Sequence, residues 1–258
     1  MSAHEAWTGG GAALRSRQMR RRSRTLIIIP AYNEEDALPG VLQELTEVVP
    51  EHDVLVVVDG ATDGTAEAAR RGAAIVAELP YNLGVGGALR TGFRYAAAHG
   101  YERAVQFDGD GQHNPAEIKT LLDALDDGAQ LVVGTRFAET ASDYQVGVVR
   151  RGAMGLLRFS FQLLSGHRFT DTSSGFKAFS APVIQYFSRT YPVEYLSDTV
   201  EALLLACLAG FVVVEVPTTM RYRSAGAPST RNLRLVYHYL RLLIVMVSSA
   251  SLRRRPVL

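Results

Sequence analysis

Ala104-Val105-Gln106-Phe107-Asp108-Gly109-Asp110-Gly111-Gln112-His113 is the stretch on which the reading of this chain turns. An apolar run with the look of a buried strand ends on two carboxylates one residue apart, and Asn114-Pro115 then starts a helix. A strand sends alternate side chains to one face, so Asp108 and Asp110 are expected to point the same way, with Gly109 leaving room for a ligand between them. Two like charges that close disfavour each other's ionisation. A hard divalent cation with a preference for oxygen donors, Mg2+ or Mn2+, removes the conflict. Taken alone, the stretch also suits a polar turn, since Asp and Gly are ordinary turn residues.

The composition frames this. A chain of 258 residues with 47% apolar content holds one medium domain, alone or with appendages. A net charge of +1 excludes a wholesale electrostatic strategy for binding nucleic acid. Lys119 and Lys177 are the lysines, and arginine supplies the other 25 of the 27 positive charges. The single cysteine, Cys207, sits in an apolar run and reads as a core residue, so nothing demands an oxidising compartment. Residues 1–24 carry glycines and Arg15, Arg17, Arg20, Arg21, Arg22 and Arg24 where a signal peptide has an apolar core. They are expected to form a mobile basic tail, either simply solvated or drawn to an anionic membrane surface.

From residue 25 strands and helices alternate. Thr25-Leu26-Ile27-Ile28-Ile29-Pro30 reads as a central parallel strand, and Tyr32-Asn33-Glu34-Glu35 leads into a helix to about residue 49. A second strand spans residues 53–59, with Thr62 or Asp63 capping the helix that follows. A short third strand is expected over residues 73–77, then a glycine-rich turn at Gly84, Gly86 and Gly87 and a helix ending near His99. The Asp108 strand is fourth. This alternation predicts a mainly parallel, twisted α/β sheet with ligands outside the carboxyl ends of its strands. The glycines lack the spacing of a dinucleotide fingerprint; a nucleotide-facing loop or close packing of a helix accounts for them.

Six motifs in order resemble the inverting family 2 glycosyltransferases of the GT-A fold, over roughly residues 25–230. They are Ile29-Pro30-Ala31-Tyr32-Asn33-Glu34-Glu35, Val58-Asp59-Gly60-Ala61-Thr62-Asp63-Gly64-Thr65, Asn82-Leu83-Gly84-Val85-Gly86-Gly87-Ala88, Phe107-Asp108-Gly109-Asp110-Gly111-Gln112-His113, Val133-Gly134-Thr135-Arg136-Phe137 and Asp171-Thr172-Ser173-Ser174-Gly175-Phe176-Lys177-Ala178-Phe179. Within that family the chain is most similar to the dolichol-phosphate mannose synthase branch, which moves a sugar from a nucleotide donor to a polyprenyl phosphate. The resemblance implies a nucleotide pocket lined by Pro30, Tyr32, Glu34 and Asp59, and a metal held by Asp108, Asp110 and Gln112. It departs at Val58-Asp59, where the family usually carries two acidic residues, one of them often touching the base. UDP- and GDP-linked donors therefore both stay open.

The second half is expected to build the acceptor side. A fifth strand over residues 129–134 exits through Thr135-Arg136-Phe137, and a helix over about residues 148–164 begins at Arg150-Arg151. Residues 171–177 read as a turn, containing Ser174, that feeds a strand at Lys177. A lipid phosphate is about nine-tenths dianionic at neutral pH, so it needs positioning charge rather than a general base. Arg136, Arg150, Arg151 and Lys177 are the candidates. Asp198 and Glu201 open a further helix, either as a capping box or as catalytic positioning groups. Residues 211–217 form another strand, and Arg223 lies in a loop that in relatives closes over the donor.

Leu233, Val236, Tyr237, Leu240, Leu243, Ile244 and Val247 form a helical stripe near the C-terminus. Its uncharged part, from Leu242 to Leu252, is 11 residues long, against the roughly 20 a membrane span needs. A helix over residues 231–258 lying in the membrane interface and ending in Arg253-Arg254-Arg255 fits, as does one packed on the domain, on a second copy or on a small membrane-protein partner. The chain thus reads as a metal-dependent glycosyltransferase acting on a polyprenyl phosphate at the cytoplasmic face of a membrane. A hydroxyl acceptor, or a binding protein that kept the fold without turnover, are the alternatives.

Overall fold

Residues 26–29 are fully buried, and the rest of the fold is layered on the strand they belong to. A computed structural model describes residues 24–136, 161–163, 166–167, 169–171, 174–193, 199–219 and 221. In order the elements are β1 (Thr25–Ala31), α1 (Leu38–Val48), β2 (Asp53–Asp59), α2 (Thr65–Arg71), β3 (Ile75–Leu79), α3 (Val85–Ala98) and β4 (Arg103–Gln106). A 3-10 turn at Pro115–Glu117 leads into α4 (Ile118–Asp126), followed by β5 (Leu131–Arg136), β6 (Lys177–Ser180), α5 (Ala181–Thr190), α6 (Val200–Leu208) and β7 (Val213–Thr218).

The strands form one seven-stranded sheet in the order β3-β2-β1-β4-β6-β5-β7. β6 runs antiparallel to both its neighbours and every other pairing is parallel. Helices cover both faces, as a mainly parallel sheet requires. Leu26 and Ile28 face α3, α5 and α6, while Ile27 and Ile29 face α1, α2 and α4. From β1 the chain builds outward through β2 to β3, then returns to place β4 on the other side of β1. That reversal opens a crevice beyond the carboxyl ends of β1 and β4, where open α/β sheets bind ligands.

Several expected boundaries move, for local reasons. The third strand lies at Ile75–Leu79 rather than 73–77, because Ala73 takes a left-handed φ of 56° and Ala74 N–H still bonds back to Ala69 C=O, finishing α2. The fifth strand runs to Arg136, two residues beyond the expected end, and β7 to Thr218, because the two stay paired as far as Arg136 opposite Thr218. Neither expected cap holds the N-cap position of α2, which is Gly64; Asp63, one residue earlier, accepts at Oδ1 from the N–H and the hydroxyl of Thr65. The most consequential change is at β4. It ends at Gln106, so Asp108 and Asp110 lie in the turn beyond the strand and strand alternation does not set their direction. Of the helix expected over residues 148–164, residues 161–163 are described and helical. The N-terminal tail and the C-terminal stripe lie outside the described residues.

Gly92 lets α3 lie against β1, since a Cβ there would sit 2.4 Å from Cγ2 of Ile28. Gly92→Ala is expected to destabilise by about 1–3 kcal/mol through overpacking, despite an intrinsic helix gain of about 1 kcal/mol. In urea denaturation, the double variant with Ile28→Ala should lose less than the sum of the single losses. Strict additivity would mean that the two sites do not press on each other.

Candidate active site

Three turns meet at the crevice. Pro30 lies near the end of β1 and the turn after it holds Tyr32 and Glu34, with Tyr32 about half exposed at 48%. Asn33 adopts a left-handed φ of 54° and its Oδ1 accepts from Thr62 N–H at 2.9 Å. Glu34 N–H donates to Thr65 Oγ1, and the Glu35 carboxylate accepts from Gly64 N–H at 2.7 Å, at the start of α2. The first and second motifs are thereby tied together residue by residue, which fixes the wall carrying Tyr32.

Asp59, the last residue of β2, is buried, and its Oδ1 accepts from Leu83 N–H at 2.7 Å. A Cβ on Gly60, whose φ is 64°, would lie 2.4 Å from backbone atoms of Tyr81 and Asn82. Asp59 and Gly60 together therefore hold the loop that starts α3. Of its glycines, Gly84 takes a φ of 83°, and Gly86 is required by the protein itself, since a Cβ would come within 2.3 Å of Pro192 C=O. Close packing thus accounts for Gly86, while a Cβ on Gly84 would meet nothing nearer than Val193 C=O at 3.9 Å.

The third turn follows β4. Phe107 N–H makes a last bond to Ile28 C=O, and Asp108 N–H then donates to Nδ1 of His113 at 3.0 Å. Asp110 is nearly buried, and its Oδ1 accepts from Gln112 N–H at 3.0 Å. Gln112 C=O accepts from Arg221 N–H, while the Arg221 guanidinium pairs with Glu44 and bonds Asn114. The side chain of Asp108 is 35% exposed and accepts no hydrogen bond among the described residues. Residues 174–176 cross directly against it, and a Cβ on Gly175 would lie 2.9 Å from its Oδ2. His113 is the residue that sequence reasoning passed over; its signal was its place at the end of the Asp-Gly-Asp-Gly-Gln-His run.

Among the described residues no group of three or more His, Cys, Asp or Glu side chains is placed to hold a metal. Two carboxylates and the Gln112 amide on one short turn make an incomplete oxygen set. Such a set suits Mg2+ or Mn2+, which keep sites open for water and substrate phosphates. The bare Asp108 carboxylate beside a glycine that leaves it room fits that use.

On the acceptor side Ser174 is buried, with its Oγ accepting from Phe176 N–H at 3.2 Å. Lys177 is buried too, opposite Gln106 and Val133 in the sheet, not displayed on the surface. Arg136 ends β5 opposite Thr218, and Glu201 lies in the first turn of α6. Arg150, Arg151, Asp198 and Arg223 lie outside the described residues. A cavity of about 600 Å3 lies elsewhere, between α3 and α5, lined by Arg90, Arg94 and Arg189, and contains none of these groups.

A mainly parallel sheet with one antiparallel strand, and an acidic turn at its switch point, define a GT-A-type nucleotide-sugar transferase. Residues 26–187 match the family described as Glycosyl transferase family 2, and the chain belongs to that family. It is 32% identical over 224 residues to the polyprenol monophosphomannose synthase of Mycolicibacterium smegmatis, covering 81% of each chain. It is 32% identical over 214 residues to the undecaprenyl-phosphate mannosyltransferase of Micrococcus luteus, covering 79% of this chain and 86% of that one. A glucosyl-3-phosphoglycerate synthase from Mycobacterium tuberculosis, solved with Mn2+ and UDP-glucose, shares the fold at a TM-score of 0.65 and 20% identity, covering 96% of this chain and 84% of its own.

Burial pushes the Asp59 carboxyl above its ordinary value of 3.8, against the opposing hydrogen bonds from Leu83 and Gly84 N–H. A raised folded value means that ionisation costs stability, nothing well below pH 3.8 and the full amount above the folded value. Asp59→Asn keeps an acceptor for Leu83 and removes the charge. Its stability relative to the native protein should therefore rise as pH increases from 3 through the folded value and then level off. Urea midpoints between pH 3 and 7 measure this; a difference that falls with pH would contradict it.

Proposed function

We propose that this family 2 glycosyltransferase moves a sugar from a nucleotide-diphosphate donor, UDP- or GDP-linked, to a polyprenyl phosphate. The observation that carries the reading is the Asp108 carboxylate at the β1–β4 switch point, accepting no hydrogen bond among the described residues, with Asp110 and Gln112 on the same turn. Both relatives named above act, by their names, on polyprenyl-type lipid phosphates, and they align over about four-fifths of the chain. Mg2+ or Mn2+ bound by Asp108, Asp110 and Gln112 supplies Lewis acidity at the donor diphosphate, where negative charge grows as the sugar leaves.

The chain's own residues do the remaining work. Pro30, Tyr32 and Glu34, on the wall tied to Thr62 and Thr65, line the nucleotide, and Asp59 with Gly84 shapes its far side. Arg223, which follows β7 in the sequence, is assigned to the diphosphate by its motif. Arg136, Arg150 and Arg151 form the acceptor side, where guanidinium forks orient a phosphate that already carries its nucleophilic charge, whereas Ser174 and Lys177, both buried, do not reach it. No catalytic base is needed, so neither Asp198 nor Glu201 is given that part; the N-cap of α6 is Thr199, without a side-chain cap, so the expected capping box does not start this helix. Among the described residues no helix is long and apolar enough to cross a membrane. The C-terminal stripe with its three arginines supports attachment at the membrane surface, on the cytoplasmic face.

Asp108→Asn and Asp110→Asn should fold and lose at least about 2–4 kcal/mol of transition-state stabilisation. The assay is transfer to a short polyprenyl phosphate with and without chelator; a variant that stays fully active in chelator refutes the metal role. In the same assay Arg136→Ala should cost about 1.5–3 kcal/mol, while Asp198→Asn keeps most activity. An inactive Asp198→Asn beside an active Arg136→Ala would establish a hydroxyl acceptor instead, because losing a general base costs about 10²–10⁴ in rate.

Membrane attachment is tested separately. The full chain should sediment with anionic liposomes and release as salt rises, because surface attraction is screened. Deleting residues 231–258 should weaken binding more than deleting residues 1–24, since only the former removes apolar area. If neither deletion weakens binding, the helix belongs to the fold or to an oligomer.

A further inference from the structure

His113 is almost wholly inaccessible, with its ring stacked on Phe176 at 4.8 Å and 24° and set edge-on to Phe107 at 5.2 Å and 81°. The two phenylalanines come from neighbouring strands, one at the exit of β4 and the other at the entry to β6, and meet edge to face 5.8 Å apart, so the ring packs into the corner between them. Its Nδ1 accepts from the Asp108 backbone N–H at 3.0 Å. A ring nitrogen that accepts a hydrogen bond carries no proton, so the ring's proton sits on Nε2. Among the described residues buried Nε2 has no hydrogen-bond partner, and Asp108 Oδ2 lies 3.4 Å from it. One imidazole therefore touches Asp108 twice, through the backbone that sets where the residue sits and beside the carboxylate that extends from it. Gly175 passes the other side of that carboxylate, where a Cβ would come within 2.9 Å of Oδ2 and 3.2 Å of Oδ1.

We propose that His113 is the positioning residue for the Asp108 carboxylate, its Nε2–H holding Oδ2 so that the carboxylate's remaining lone pairs face the incoming divalent cation. The proposal rests on the reading of Asp108 as a metal ligand. The physical argument is that a carboxylate with no hydrogen bond rotates freely, and a ligand that must be immobilised on binding binds more weakly. A small rotation of the Asp108 side chain closes the 3.4 Å gap and gives the buried N–H the acceptor it lacks. Binding of the cation, ordering of Asp108 and satisfaction of His113 are then one event. Asp110 has a different arrangement, its Oδ1 held by the N–H of Gln112 within the turn, so the two carboxylates are steadied by separate means.

The test is Mn2+ affinity of the full chain, read from the electron paramagnetic resonance of free Mn2+, with folding followed by circular dichroism. His113→Asn keeps an acceptor near the Nδ1 position and loses the donor at Nε2; His113→Gln reaches the Nε2 position with an amide N–H. His113→Asn is expected to weaken Mn2+ binding about 10- to 100-fold, and His113→Gln to recover to within about fivefold of the native chain. In an Asp108→Asn background, His113→Asn should have no further effect, because the group it positions is gone. A folded His113→Asn that binds Mn2+ like the native chain, while Asp108→Asn does not, overturns the positioning role alone. Equal Mn2+ binding by Asp108→Asn and the native chain overturns the metal reading, and this inference with it. Should His113→Asn not fold, His113→Gln is compared with His113→Phe, which fills the same aromatic stack; equal affinities in those two overturn the proposal.

Discussion

A strand that ends inside a protein leaves its next backbone donor without a ladder partner, and the candidate site is organised around how β4 meets that demand. Phe107 N–H is the last to bond across to β1, at Ile28 C=O, and the donor after it, on Asp108, is taken by His113. An unmet buried N–H would cost about 1–3 kcal/mol, so the chain must double back within a few residues. Gly111, at a φ of 77°, permits the reversal, and Asn114 then accepts from Ala116 N–H to start the following turn. Asp110 and Gln112 are carried on the arc this creates. The acidic turn is thus the loop that a buried imidazole requires, with its carboxylates on the crevice side.

The same economy governs the other two turns. Asp59 has its carboxylate spent on the backbone of the loop ahead of α3, and Glu35 has its own spent on the start of α2. The partly buried bond to Asp59 is worth about 1.5–3 kcal/mol, and the exposed one to Glu35 less. They make the nucleotide wall a property of the sheet's carboxyl edge, since each anchor is the end of a strand or the start of a helix. The close approaches at Gly60, Gly86 and Gly175 serve the same end, bringing backbone to within contact of backbone or carboxylate where a side chain would hold them apart.

Much of this was legible from residues alone. The continuous apolar runs of β1 and β2 announced strands buried on both faces, and the alternation with helical segments gave the parallel sheet and the switch point. What alternation could not give was the end of β4. Periodicity reports which face a residue takes while the strand lasts; it does not report where pairing stops, which depends here on an antiparallel partner, β6, from some 70 residues further on. The role of His113 was hidden for a related reason. A histidine after an acidic pair looks like one more polar turn residue until Phe176, distant in sequence, is seen stacked on it. Lys177 misled in the other direction: written next to a Ser-Gly-Phe turn it looks displayed, whereas the sheet buries it across from Gln106.

Val58 shows how geometry changes the meaning of a sequence departure. The nucleotide motif lacks an acidic residue at this position, which left the base of the donor open. In the sheet, however, successive β2 side chains face opposite ways, and Val58 packs with Ile29, Ala31, Ala66 and Ala68 in the core beneath α1 and α2. Asp59 is the one that reaches the loop ahead of α3. A carboxylate at position 58 would lie in that apolar core, where an unpaired charge is costly, so valine there is what this chain's own packing calls for. The absence of the second acid therefore says nothing about lost catalysis. The groups through which metal chemistry would run, Asp108 and Asp110, sit on a turn braced by Arg221, His113 and Gly175. A site that had drifted out of use would have no physical reason to keep that bracing.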